Sequence, residues 1–74
     1  MSIDIPTLLK NNKNKIIQIR LRENKTISGI LQNFDLFLNL TLADAEDISD
    51  TKVVKLGKTL LRGNNIITIV LPEE

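Results

Sequence analysis

Apolar residues near the start of the chain fall at Ile5, Leu8 and Leu9, the i, i+3, i+4 spacing of one helix face. Asp4 can cap such a helix, and Pro6 sits in the first turn, where a missing N–H costs little. The spacing predicts a short N-terminal helix, ended by the polar run Asn11-Asn12-Lys13-Asn14. Beyond that run the period falls to two. Lys15 to Leu21 puts Ile17, Ile19 and Leu21 on one side of a first strand, and Glu23-Asn24-Lys25 connects it to a second, Thr26 to Asp35. Asn39 to Asp47 alternates with Leu40 and Leu42 inward, and its acidic end runs into a solvated loop, Ile48-Ser49-Asp50-Thr51. Val53 to Arg62 reads as a fourth strand, Gly63-Asn64 as a tight turn and Asn65 to Leu71 as a fifth, with Pro72-Glu73-Glu74 ending the sheet.

Gly29 interrupts the second strand, which predicts a sharp bend or bulge there. One helix followed by five short strands with a mid-strand bend points to a mainly β fold. A strongly bent five-stranded antiparallel open barrel fits better than a sandwich, which wants about seven strands.

The last strand is apolar on both faces, Ile66-Ile67-Thr68-Ile69-Val70-Leu71, and Leu60-Leu61 before it likewise. An uncharged, β-branched run left exposed is a template for aggregation, so natural proteins cover it. A chain of 74 residues has little of its own to cover both faces. Two solutions are open: the run fills the core of a monomer, or further copies pair edge to edge in a closed ring. The ring is the expectation, with Leu60, Leu61, Ile66, Ile67, Ile69 and Val70 at the contact.

Composition narrows the chemistry. The length and a net charge of +1 predict one small soluble domain spanning residues 1–74. Cysteine and histidine are both absent, which excludes disulfides, Cys/His zinc sites, thiol nucleophiles and imidazole acids or bases. No nucleophile–base pair can be assembled from the remaining residues, so an enzyme is not expected. Asp44, Glu46, Asp47 and Asp50 lack the spacing of a calcium loop and read as a solvated strand end, so neither a metal nor a cofactor is expected. The opening Met1-Ser2-Ile3-Asp4-Ile5-Pro6 lacks a secretory pattern, and no apolar run approaches the roughly 20 residues of a bilayer span. A cytoplasmic protein without a membrane partner is expected, and the triplets Asn24-Lys25-Thr26 and Asn39-Leu40-Thr41 then carry no glycan. Near-neutral charge leaves any nucleic-acid binding to a local site.

The two aromatics, Phe34 and Phe37, both fall in Gly29-Ile30-Leu31-Gln32-Asn33-Phe34-Asp35-Leu36-Phe37-Leu38-Asn39-Leu40. A glycine, Phe-Asp five residues on, then Asn-Leu after a three-residue gap, with Asp44 and Glu46 following, resembles the first motif of the Sm and Sm-like proteins. Leu61-Arg62-Gly63-Asn64-Asn65-Ile66 resembles the second. The chain looks most like archaeal Sm-like proteins; bacterial Hfq shares the plan but uses a Lys-His pair that this sequence lacks, and eukaryotic relatives with an Arg-Gly-Asn turn stay open as a second source of the resemblance.

The resemblance implies a barrel with an N-terminal helix, assembled into a ring, usually of seven, by pairing the fourth strand with a neighbour's fifth. It implies a uracil held between the Phe37 ring and the Arg62 guanidinium, with the Asn39 amide complementing the base edge and Asp35 orienting that amide. Gly63 would allow positive φ in the turn that aims Arg62, and Asn64 would bond nearby backbone or base. Phe34 alternates with inward positions and reads as core. Two departures stand out: many relatives carry histidine or tyrosine where this chain has Phe37, and many archaeal relatives carry aspartate where it has Asn64. The implied partners are single-stranded U-rich RNA, identical subunits and RNA-processing proteins. The implied role is in RNA processing or turnover, the alternative being a scaffold ring that recruits processing factors with little RNA specificity of its own.

Overall fold

The computed structural model describes residues 4–73; the leader reading at Met1 to Ile3 and the final Glu74 lie outside them. The elements run α1 (Ile5–Asn11), β1 (Ile16–Leu21), β2 (Lys25–Phe34), β3 (Leu40–Asp47), β4 (Val54–Leu61) and β5 (Ile66–Val70). Among the described residues no helix is long and apolar enough to cross a membrane.

Asp4 starts α1 differently from the expected side-chain cap. Its carbonyl accepts the Leu8 N–H at 3.0 Å, and its carboxylate accepts the Thr7 hydroxyl at 2.6 Å. Leu9 is buried, whereas Ile5 and Leu8 stay 47% and 39% exposed, so the predicted apolar face of the helix is only partly covered. The chain leaves α1 through Asn14, which takes a left-handed φ of 68° and donates its N–H to the Leu31 carbonyl at 2.7 Å. That bond hooks the helix exit onto β2, since a short polar residue such as asparagine tolerates this backbone region.

All five strands pair antiparallel in the order β4-β3-β2-β1-β5. The bend predicted at Gly29 is present, but its physical origin lies across the ladder. Ser28 pairs with Glu46 and Ile30 with Ala43, so Gly29 faces two residues of β3, Asp44 and Ala45, and Asp44 takes the positive φ of 50°. A Cβ on Gly29 would lie 3.1 Å from Leu42 Cβ and 3.2 Å from Ala45 Cα, a tight fit against the crossing strand. Glycine here permits the close approach that lets the sheet curl.

The curl wraps a core of Ile17 and Ile19 from β1, Ile27 and Leu31 from β2, and Leu40, Leu42 and Ala45 from β3, closed by Leu9 and Leu61. Phe34, Leu38, Ile66 and Ile69 pack against it half-buried. Alternation places Ile17 with Ile19, Ile27 with Leu31, and Leu40 with Leu42 on one face, and the register shifts in β2–β3 and β1–β5 bring Phe34, Ala45, Ile66 and Ile69 to the same side. Leu61 corrects one expectation, because only 7% of it is exposed, so its side chain belongs to the core and is not offered to a neighbour. Ile66 and Ile69 also turn toward the core, while Leu60, Ile67 and Val70 point outward, Leu60 at 67% and Ile67 at 64% exposure.

β4 and β5 are the two ends of the sheet and do not pair with each other. Among the described residues, each leaves one row of backbone groups without a strand partner, and each carries exposed apolar residues, Val54, Leu56 and Leu60 on β4 and Ile67 and Val70 on β5.

Candidate functional site

The β2–β3 connection, Asp35 to Asn39, folds around one carboxylate. One Asp35 oxygen accepts the backbone N–H groups of Phe37 at 2.9 Å and Asn39 at 3.0 Å. The other accepts the Asn39 side-chain N–H at 2.9 Å. Aspartate favours this arrangement because its short side chain reaches backbone donors two residues on. The Asn39 side-chain bond leads in lowering the Asp35 pKa below its ordinary 3.8, joined by the two backbone N–H groups and opposed by desolvation. Leu38 takes a φ of 61° and donates its N–H to the Asp35 carbonyl at 3.1 Å, which packs its side chain against the core and leaves Leu36 and Phe37 outside. Phe37 is 82% exposed, an unusual position for a large aromatic that only filled space.

The second turn begins at Arg62, whose φ of −82° and ψ of 132° are extended, and continues as a single 3-10 turn, Gly63–Asn65, closed by the Asn65 N–H on the Arg62 carbonyl at 3.0 Å. The reason for glycine here differs from the expected one. Among the described residues Gly57 is the glycine with positive φ, and Gly63 is not. A Cβ on Gly63 would instead collide with the Phe37 carbonyl oxygen and lie 3.0 Å from the Leu38 carbonyl carbon. Gly63 is what allows the two turns to touch.

They are also bonded. The Gly63 N–H donates to Asn39 Oδ1 at 2.8 Å in a partly buried contact. Asn39 therefore spends one amide hydrogen on Asp35 and one oxygen lone pair on Gly63. An amide has two donors and about two acceptor positions, so one of each is left for a further partner. The amide cannot turn over, because that would set its NH₂ against the Gly63 N–H and its oxygen against the Asp35 carboxylate.

Phe37, Asn39, Arg62, Gly63 and Asn64 line one open cleft of about 440 Å³. Asp35 does not line it but stands behind Asn39, holding it. The cleft thus brings together an exposed aromatic face, a guanidinium and a polar edge of fixed orientation, the elements needed to hold a planar heterocycle. One contributor escaped the sequence reading: Arg22, from the β1–β2 hairpin, donates its Nε to the Asn64 carbonyl at 3.3 Å and its backbone N–H to the Asn65 carbonyl at 3.1 Å. No local pattern marks it, since the side-chain partner Asn64 lies 42 positions away. Of the acidic stretch, Asp47 is engaged internally: its carboxylate accepts the Ser49 N–H at 2.9 Å and the Ser49 hydroxyl, and pairs with Lys25 at 3.8 Å.

Against known proteins, the family model described as the LSM domain matches residues 7–71. An Aeropyrum pernix protein named as an snRNP Sm-like protein is 35% identical over 69 residues, covering 90% of each chain. Among solved structures, a heptamer of the P. aerophilum Sm protein superposes with a TM-score of 0.91 at 34% identity over all of both chains. The Pyrococcus abyssi Sm protein, solved in complex with a uridine heptamer, gives a TM-score of 0.87 at 31% identity over 95% of this chain and 100% of that one.

Proposed function

This chain belongs to the LSM domain family, and on that premise we propose that seven identical copies close into a ring that binds U-rich single-stranded RNA, one base per cleft, in RNA processing or turnover. The observation that carries it is the chain of hydrogen bonds from Asp35 through Asn39 to Gly63, which fixes an amide in the cleft that Phe37 and Arg62 also line.

A base entering the cleft lays one face on the Phe37 ring and meets the Arg62 guanidinium plane with the other, with stacking worth about 1 to 3 kcal/mol per base. Stacking accepts any base, so selection falls to Asn39. Its free lone pair and free N–H complement a uracil edge, which offers an N3–H donor beside a carbonyl acceptor. Cytosine presents the reverse order, and the locked amide cannot invert to meet it. Asp35 and Gly63 act as positioning residues, and Asn64 completes the rim. No step is catalytic.

The sheet ends support the assembly. β4 and β5 are unlike edges of one sheet, so pairing the β4 of one copy with the β5 of the next is a head-to-tail contact that closes on itself when the rotation fits. It would cover Leu60, Ile67 and Val70. The heptamer of the P. aerophilum relative and the uridine heptamer bound by the P. abyssi relative support the ring size and the ligand class. Repetition then raises affinity, since later contacts on one strand become intramolecular.

Fluorescence anisotropy with oligo(U), oligo(C) and oligo(A), alongside native mass spectrometry, tests both parts. Submicromolar binding to oligo(U) that collapses in Phe37→Ala and Asn39→Ala, on a seven-subunit mass, is expected. Equal weak binding to all three oligomers would favour a scaffold for processing proteins, and a monomer at micromolar concentration would overturn the ring.

A further inference from the structure

We propose that Arg22 supplies a phosphate contact beside the base cleft, so that the RNA backbone runs past the Asn64–Asn65 turn toward the β1–β2 hairpin. It rests on the Phe37–Arg62 cleft being a base site.

Arg22 stands one residue past β1, where Ile67 bulges out of the β1–β5 ladder: Arg20 pairs with Thr68 and Leu21 with Ile66. Beyond that bulge, the Arg22 N–H reaches the Asn65 carbonyl at 3.1 Å and its Nε reaches the Asn64 carbonyl at 3.3 Å. The guanidinium is thereby anchored to the turn that carries Arg62 and Asn64. Anchoring uses one of its five N–H donors. Among the described residues no further hydrogen bond or ion pair engages the others.

Arg22 lines an open cavity of about 300 Å³ with Leu21, Glu23, Lys25 and Asn65. It flanks the base cleft across a single turn, Asn64 lining one and Asn65 the other. A strand whose base occupies the first therefore passes its backbone close to the second. Lys25 shares the cavity, but its ammonium sits on a flexible stem drawn toward Asp47 at 3.8 Å, whereas the Arg22 guanidinium is fixed by its bond to the Asn64 carbonyl and presents its remaining donors from a set position. A planar fork with adjacent N–H groups matches two phosphate oxygens. Glu23, in the same cavity, opposes an anion, so its removal should strengthen the contact.

The test is the salt dependence of oligo(U) anisotropy on the assembled protein. Arg22→Gln should lower the slope of log K against log[salt] by about 0.7 for each copy engaged, the single-strand value per phosphate, with preference for oligo(U) over oligo(C) unchanged. Arg22→Lys should keep the slope, Glu23→Gln should raise affinity at low salt, and Phe37→Ala should lower affinity with the slope intact. A wild-type slope in Arg22→Gln overturns the phosphate contact whatever happens to affinity, and leaves Arg22 as a brace for the turn. Absence of any oligo(U) preference in the wild-type protein overturns the base cleft and this contact together.

Discussion

The Gly63 backbone N–H donates to the Asn39 side-chain oxygen at 2.8 Å, joining two turns that lie 24 positions apart. Removing the acceptor should therefore be felt in folding as well as in binding. Asn39→Ala leaves a partly buried N–H unpaired and is expected to cost about 1 to 3 kcal/mol in urea unfolding, with loss of oligo(U) binding. Asn39→Asp keeps the acceptor for Gly63 but sets a carboxylate against Asp35, so its stability deficit should be largest at neutral pH and shrink as either carboxylate is protonated.

The contact between the turns predicts different fates for two glycines. Gly63→Ala forces a methyl group into the Phe37 carbonyl, and backbone cannot swing aside as a flexible side chain would. About 1 to 3 kcal/mol of stability should go, and the Arg62 turn should shift, lowering oligo(U) affinity in anisotropy. Gly57 has a φ of 73° with open space around it. Gly57→Ala should cost about 1 to 2 kcal/mol from backbone strain alone, and oligo(U) affinity per folded molecule should not change.

Acid should weaken the protein from two separate places. Asp35 and Asp47 both have pKa values lowered from 3.8, Asp35 chiefly by the Asn39 side chain and Asp47 chiefly by the Ser49 side chain. A carboxylate whose folded pKa lies below its unfolded one stabilises the fold above the unfolded value and loses that contribution as pH falls through the folded one. Stability should thus be flat from neutral pH down to about 5 and decline below about 4. Asp35→Asn should remove part of the decline and impair oligo(U) binding at pH 7. Asp47→Asn should remove part of it and leave binding intact, as read by thermal melts and anisotropy.

Neighbouring leucines separate assembly from folding. Leu60 is 67% exposed and Leu61 is 7% exposed. Leu60→Asp and Ile67→Lys should yield folded protein of monomer mass in native mass spectrometry. Leu61→Ala should lower stability by about 2 to 5 kcal/mol through a core cavity. Reversal of that pattern would show that the apolar surface of the last two strands is not where copies meet.

Elements were legible where local chemistry decides them. Asp4 and Pro6 mark the start of α1, and alternation marks each strand to within a residue of its observed end. Asp35, Phe37 and Asn39 were marked by their motif resemblance, and the local turn that Asp35 builds is what sets Phe37 and Asn39 in one cleft. Contacts between turns were not legible. Gly63 looks like any turn glycine until Phe37 is seen behind it, and Arg22 looks like any strand-end cation until Asn64 is beside it. Leu60-Leu61 reads as a pair apolar on both faces, and only the pleat decides that Leu61 goes in. The bend at Gly29 was visible, but not that the extra residue sits on β3 at Asp44.

The sheet terminates in β4 on one side and β5 on the other, which gives every molecule a polarity. A peptide copying one of these strands alone would occupy a neighbour's vacant edge while offering none in return. Such a fragment should act as a chain terminator, halting subunit addition at stoichiometric doses, and two peptides, one per edge, would report which side of a growing arc accepts the next member.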